Sequence, residues 1–187
     1  MAAMVALASS LPAAAQTAAP AGAPVLEIDV AGQANGTIRI VLRPDLAPRH
    51  VERVITLAEA GAYDGVAFHR VIEGFMAQTG DVQYGGPSGD PRRWGTGGST
   101  LPNLPAEFSA EPFERGVMGM ARAMDPNSAN SQFFLMFAPA PHLNGQYTVV
   151  GQIVEGFEVL DAIKRGTGRN GAVLGEPDRM VAVRVLR

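Results

Sequence analysis

The chain of 187 residues contains no cysteine, which removes disulfides, thiol nucleophiles and cysteine-based metal sites at once. Histidine is nearly absent too. His50, His69 and His142 stand far apart with no HxH or HExxH spacing, so no zinc or other metal site is expected. Basic residues do not outnumber acidic ones, at 15 against 18, and the longest Lys/Arg run is the pair Arg92-Arg93. A nucleic-acid partner is therefore not expected. No apolar run reaches the ~20 residues that a membrane-spanning helix needs, and stable membrane insertion is not expected either. Glycine and proline, 22 and 14 residues, are too few for a fibrous or disordered chain. These exclusions leave a globular chain long enough for one domain with a full hydrophobic core.

The first residues, MAAMVALASSLPAAAQ, form an uncharged apolar run that ends on Ala13-Ala14-Ala15. An apolar stretch followed by an A-x-A pattern reads as a signal peptide over residues 1–15, cleaved near Ala15, and places the mature protein in the periplasm or outside the cell. Residues 16–24, rich in Ala and Pro, read as a flexible linker. The folded domain is expected over residues 25–187.

From Val25 the pattern alternates. Leu26, Ile28 and Val30, then Ile38, Ile40 and Leu42, occupy every second position, which predicts two half-buried strands. Asn35-Gly36 between them suits a tight hairpin turn. Residues 46–60 place Val51, Val54, Ile55 and Ala58 at helical spacing, with Pro48 in the first turn and Gly61 just beyond the end. Strand candidates follow at 67–72, 75–78, 117–121, 133–137 and 148–154. A second helix is expected over 157–165, and Val181, Val183 and Val185 mark a last strand. About eight strands with two helices do not fit a doubly wound sheet, in which helices and strands alternate. The expected fold is mainly β: a closed eight-stranded antiparallel barrel capped by two α-helices.

Several residues stand out chemically. Arg70 lies in a strand pattern between Phe68 and Val71-Ile72, where a cation is unusual. In the run Phe133-Phe134-Leu135-Met136-Phe137, successive side chains face opposite sides, so only one of Phe133 and Phe134 points into the barrel. The other is free to line a groove. His69 faces away from Arg70 by the same alternation and reads as a structural histidine, hydrogen-bonded inside the barrel; Asp81 reads as a turn or network residue. The sequence GTGGS at 95–99 lacks the lysine of a phosphate-binding loop and reads as a groove wall. Residues 82–94 read as a solvated loop.

In this order along the chain stand FHRVIEGFMAQTGD at 68–81, GTGGS at 95–99, GVMGMAR at 116–122, NSANSQFFLMF at 127–137 and HLNGQYTVVGQIVEGFEVLD at 142–161. Together they resemble the cyclophilin family of peptidyl-prolyl cis-trans isomerases over essentially all of residues 25–187. The resemblance implies the barrel with two helices, a reaction without a cofactor, and proline-containing segments of unfolded or flexible proteins as partners. It matches Arg70 to the catalytic arginine. Phe75, Met76, Phe134 and Leu143 match the pocket for the proline ring, and Gln78, Gly95, Ala121 and Gln132 match groove positions for the peptide. Arg122 stands where many members have Asn, Tyr147 where many have His, His142 where many eukaryotic members have Trp, and Glu73 where Pro is frequent. The substitutions at 142 and 147 resemble bacterial exported members. The expected activity is isomerisation of X-Pro bonds in exported proteins by a monomer. A non-catalytic chaperone or assembly factor that grips proline segments on the same barrel is the alternative.

Overall fold

The structure, a computed structural model, describes residues 17–187. The expected signal peptide and Gln16 lie outside the described residues. Thr17, inside the segment read as a linker, is hydrogen-bonded to Arg43 and Glu111, so that segment has a fixed contact point.

Nine strands form one antiparallel sheet: β1 (Val25–Ala31), β2 (Gly36–Leu42), β3 (Val66–Ala67), β4 (Arg70–Ile72), β5 (Met76–Thr79), β6 (Val117–Met120), β7 (Phe133–Met136), β8 (Val149–Glu155) and β9 (Arg179–Leu186). Their order is β3-β9-β1-β2-β8-β6-β7-β5-β4. The sheet curls into an open half-barrel, which corrects the expectation of a closed eight-stranded barrel. The cause is local. Residues 67–72, expected as one strand, break at Phe68-His69, so that β3 pairs with β9 while β4 pairs with β5. One short stretch of chain thus supplies both edges of the sheet, and no ladder among the described residues joins them.

The two expected helices are present as α1 (Pro48–Glu59) and α2 (Phe157–Ala162), each shorter than the sequence pattern. α1 packs against β9 and α2 against β2. α2 stops early because the backbone turns extended at Ile163 and the next N–H, that of Lys164, donates to the buried carboxylate of Asp178 at 2.6 Å. The first hairpin is connected by residues 32–35 rather than by Asn35-Gly36 alone. Gly36 opens β2 at φ +142°, where a Cβ would lie 2.7 Å from Val159 of α2.

The interior divides in two. The main core takes Leu26, Ile28, Ile38, Ile40, Val54, Phe68, Phe133 and Leu135. A second cluster of Met76, Phe113, Val117, Phe134, Met136 and Leu143 lies on the other face of β5–β7. The alternation at 133–137 sorts as expected: Phe133 meets Tyr63 edge-on in the main core, and Phe134 belongs to the second cluster.

Candidate active site

Arg70 is the first residue of β4, and its register partner on β5 is Gln78. That pairing puts both side chains on one face, where Arg70 Nη1 donates to Gln78 Oε1 at 3.1 Å. Gln78 Nε2 donates in turn to Gln132 Oε1 at 3.0 Å, and Gln132 Nε2 to the Gly97 carbonyl at 2.8 Å. A continuous relay therefore runs from the arginine to the glycine-rich wall. The guanidinium is half-buried; burial pulls its pKa below the ordinary value, and Tyr147 nearby opposes the shift. An arginine starts high enough to stay charged at neutral pH regardless.

Beside Arg70 opens a cavity of about 300 Å³. Phe75, Met76, Phe134 and Leu143 supply apolar lining, while Gln78, Ala121, Arg122, His142 and Tyr147 complete it. Its floor is stiff. Phe134 stacks on Phe113 at 5.8 Å between ring centroids and meets Tyr147 edge-on at 5.8 Å. On the opposite wall, the Phe75 and His142 rings lie 5.7 Å apart. The turn that delivers Phe75 is closed despite Glu73: Gly74 takes φ +68°, the Phe75 N–H donates to the Ile72 carbonyl at 3.0 Å, and Glu73 pairs with Arg165 at 2.6 Å.

A second cavity, of about 400 Å³, adjoins the first and shares Gln78, Ala121 and Arg122 with it. Gly95 and Gln132 line it, together with Thr96, Ser99, Asn103 and Asn130. Arg122 stands between the two, its guanidinium 4.4 Å from the Tyr147 ring centroid and donating to the Gln146 carbonyl at 2.9 Å. Among the described residues, no carboxylate lines either cavity. All twelve residues singled out in the sequence, Arg70 included, thus line one or both of two adjoining cavities.

The wall of 95–99 is held from below. Asp81, fully buried, accepts the N–H groups of Gly95 at 2.7 Å and Gly97 at 3.1 Å as well as that of Tyr84 at 2.9 Å. This bears out its reading as a network residue. Asn130 Oδ1 accepts the Ser99 N–H at 2.7 Å. His69 is buried beneath Gly95, where a Cβ would come within 3.0 Å of its Nε2. Neither of its ring nitrogens meets a partner in good hydrogen-bonding geometry, which corrects the expectation of a hydrogen-bonded imidazole, although Ala67 and Gln132 lie close enough to oppose the lowering of its pKa. Burial pushes its pKa down to about 4, so it is neutral at pH 7.

Three contributors were not foreseen from the sequence. Phe113 backs Phe134, Asn130 holds Ser99, and Asn170 contacts Arg70. Phe113 carries no local signal, since it acts across a long loop, and Asn130, though inside the motif at 127–137, reaches Ser99 across 31 residues. Asn170 sits in an Arg-Asn-Gly turn, and an Asn-Gly pair is a readable mark of a left-handed residue.

Residues 25–185 match the family model described as "Cyclophilin type peptidyl-prolyl cis-trans isomerase/CLD". The chain belongs to the cyclophilin family. It is 56% identical over 149 residues to a probable peptidyl-prolyl cis-trans isomerase of Brucella suis biovar 1 (strain 1330), covering 79% of this chain and 76% of the relative. To peptidyl-prolyl cis-trans isomerase CYP18-1 of Arabidopsis thaliana it is 38% identical over 146 residues, 75% of this chain and 85% of the relative. Among solved structures, a cyclophilin-type isomerase of Cryptosporidium parvum superposes with a TM-score of 0.73 at 24% identity, over 87% of this chain and 97% of that one. The same Cryptosporidium protein, crystallised in the presence of the dipeptide Ala-Pro, gives a TM-score of 0.72 over 87% of this chain and 99% of that one. This cyclophilin is accordingly a peptidyl-prolyl cis-trans isomerase, and its curled sheet is the family's fold.

Proposed function

We propose that this isomerase acts as a monomer on X-Pro bonds of exported proteins, with Arg70 as its catalytic residue and the apolar cavity as the seat of the proline ring. Rotating the peptide C–N bond sacrifices amide resonance across a barrier of ~18–20 kcal/mol. As resonance is lost, the proline nitrogen becomes pyramidal and regains a lone pair. A guanidinium N–H directed at that nitrogen stabilises the twisted state more than the planar one, and that difference is what accelerates the reaction. No bond breaks and no proton needs to move, so neutral His69 has no chemical task. Phe75, Met76, Phe134 and Leu143 hold the ring while the acyl side turns, and their exclusion of water strengthens the Arg70 contact. Gln78, Gly95, Ala121 and Gln132 lie where the preceding peptide would run, and Arg122, His142 and Tyr147 where it would leave. An acceleration of ~10⁵ asks for about 7 kcal/mol from all of these together.

One observation carries the reading: the half-buried Arg70 lines, with Phe75, Met76, Phe134 and Leu143, one carboxylate-free cavity of about 300 Å³. In a protease-coupled assay on an Ala-X-Pro-Phe peptide, Arg70→Ala is expected to lower kcat/KM by about 10²–10³-fold, as loss of one preorganised donor does elsewhere. Unchanged activity would sink the assignment of Arg70. Export rests on the N-terminal pattern at residues 1–15, and N-terminal sequencing of protein from the periplasmic or culture fraction is expected to begin at Gln16. An intact Met1 in the cytosol would refute it. Light scattering after size exclusion tests the monomer.

A further inference from the structure

We propose that Asn170 is a positioning residue for the isomerase reaction, fixing one edge of the Arg70 guanidinium so that its remaining N–H groups are directed at substrate. The proposal rests on the reading of Arg70 as the donor to the proline nitrogen. Asn170 engages the arginine twice: its backbone carbonyl accepts from Nε at 3.0 Å, and its Oδ1 accepts from Nη2 at 3.2 Å. Gln78 takes Nη1 from the other side at 3.1 Å. Of the five N–H groups on a guanidinium, three are therefore committed, which leaves one on each Nη atom. The Asn170 carbonyl and Gln78 hold Nε and Nη1, and Oδ1 adds the hold on Nη2, so that all three guanidinium nitrogens are fixed.

The position of Asn170 does not depend on Arg70. Residues 166–173 run alongside β4, with the Val173 N–H donating to the His69 carbonyl at 3.0 Å and the Gly166 N–H to the Val71 carbonyl at 2.9 Å. A β-bridge between Arg70 and Ala172 sets the register. Gly171 follows at φ +78°, and a Cβ there would lie 2.4 Å from Ile72. Asn170 itself takes φ +57°, and among the described residues it is the one non-glycine residue at positive φ. Asn tolerates that conformation better than most side chains, but Gly takes it with no steric cost. A turn that needed only the backbone shape would be met by Gly; the amide oxygen is what Asn adds. The side chain is exposed, so removing it leaves no buried group unpaired.

The test is Asn170→Gly, which keeps the turn and the backbone carbonyl and removes only Oδ1. In the peptide assay kcat is expected to fall roughly tenfold, the scale of a small misplacement of a catalytic group, with KM and the thermal midpoint unchanged. Asn170→Asp, which keeps an oxygen acceptor, is expected to recover most of the rate. In an Arg70→Ala background, Asn170→Gly is expected to add nothing. Unchanged kcat in Asn170→Gly overturns the proposal, as does a loss that tracks thermal stability, a failure of Asp to rescue, or a further loss on top of Arg70→Ala. Full activity in Arg70→Ala alone identifies the failure as that of the underlying Arg70 assignment.

Discussion

At the scale of single residues, the cavity beside Arg70 depends on a position that contributes no side chain. Gly119 pairs with Phe134 across β6 and β7, and a Cβ on it would lie 2.6 Å from both Phe134 and Phe113. Phe113, buried and stacked on Phe134, has no room to yield, so the strain falls on Phe134, the ring that borders the cavity. Gly119→Ala is therefore expected to cost about 1–3 kcal/mol of stability, the usual range for overpacking, and to push Phe134 toward the cavity. A raised KM for the peptide together with a lowered denaturation midpoint would show this; an unchanged KM would show that the ring finds another way to relax. The division of labour at Phe133 and Phe134 was legible beforehand because alternation is a property of the strand itself.

Among elements, the arm before β1 makes a contact that composition concealed. Thr17 donates its N–H to Glu111 at 3.0 Å and its hydroxyl to the same carboxylate at 2.5 Å, while Arg43 donates to the Thr17 carbonyl at 2.9 Å and to its Oγ1 at 2.8 Å. Arg43 and Glu111 are both buried, 3.7 Å apart. Thr17→Val keeps the shape and removes the hydroxyl from between two buried charges. A loss of about 1–3 kcal/mol is expected, the scale of leaving a buried polar group short of a partner, measured by urea unfolding. None of these residues lines the two site cavities, so kcat/KM should not change; a fall in activity at full stability would link the arm to the site.

On the scale of the whole molecule, two buried histidines contribute to the response to acid. His69 has its pKa pushed down to about 4 by burial, from an ordinary value of 6.5, with Asp81 partly opposing. His50, fully buried 2.6 Å from Glu107, is also lowered by burial. A histidine whose folded pKa is depressed binds its proton more readily when unfolded, so its contribution is complete above about pH 6.5 and is lost as pH falls toward 4. Up to about 3 kcal/mol belongs to His69 by this linkage. Unfolding free energies measured from pH 7 to pH 4 are expected to decline, and His69→Gln is expected to flatten the decline. An equally steep profile in that variant would assign the acid sensitivity elsewhere.

By itself the sequence determined what depends on near neighbours: the alternating strands β1, β2 and β9, the presence and type of both helices, and the motif residues that mark the family. The twelve residues proposed for the site could be named together because each sits in a contiguous motif whose order carries the resemblance. Tertiary structure alone decided what joins distant parts. Asn170 reaches Arg70 across 100 residues, and Phe113 reaches Phe134 from the end of a long loop. The break at Phe68-His69, which leaves the sheet open with nine strands, is set by β3 pairing with β9 and β4 with β5. Such pairings depend on where the chain returns, and periodicity within one segment holds no record of that.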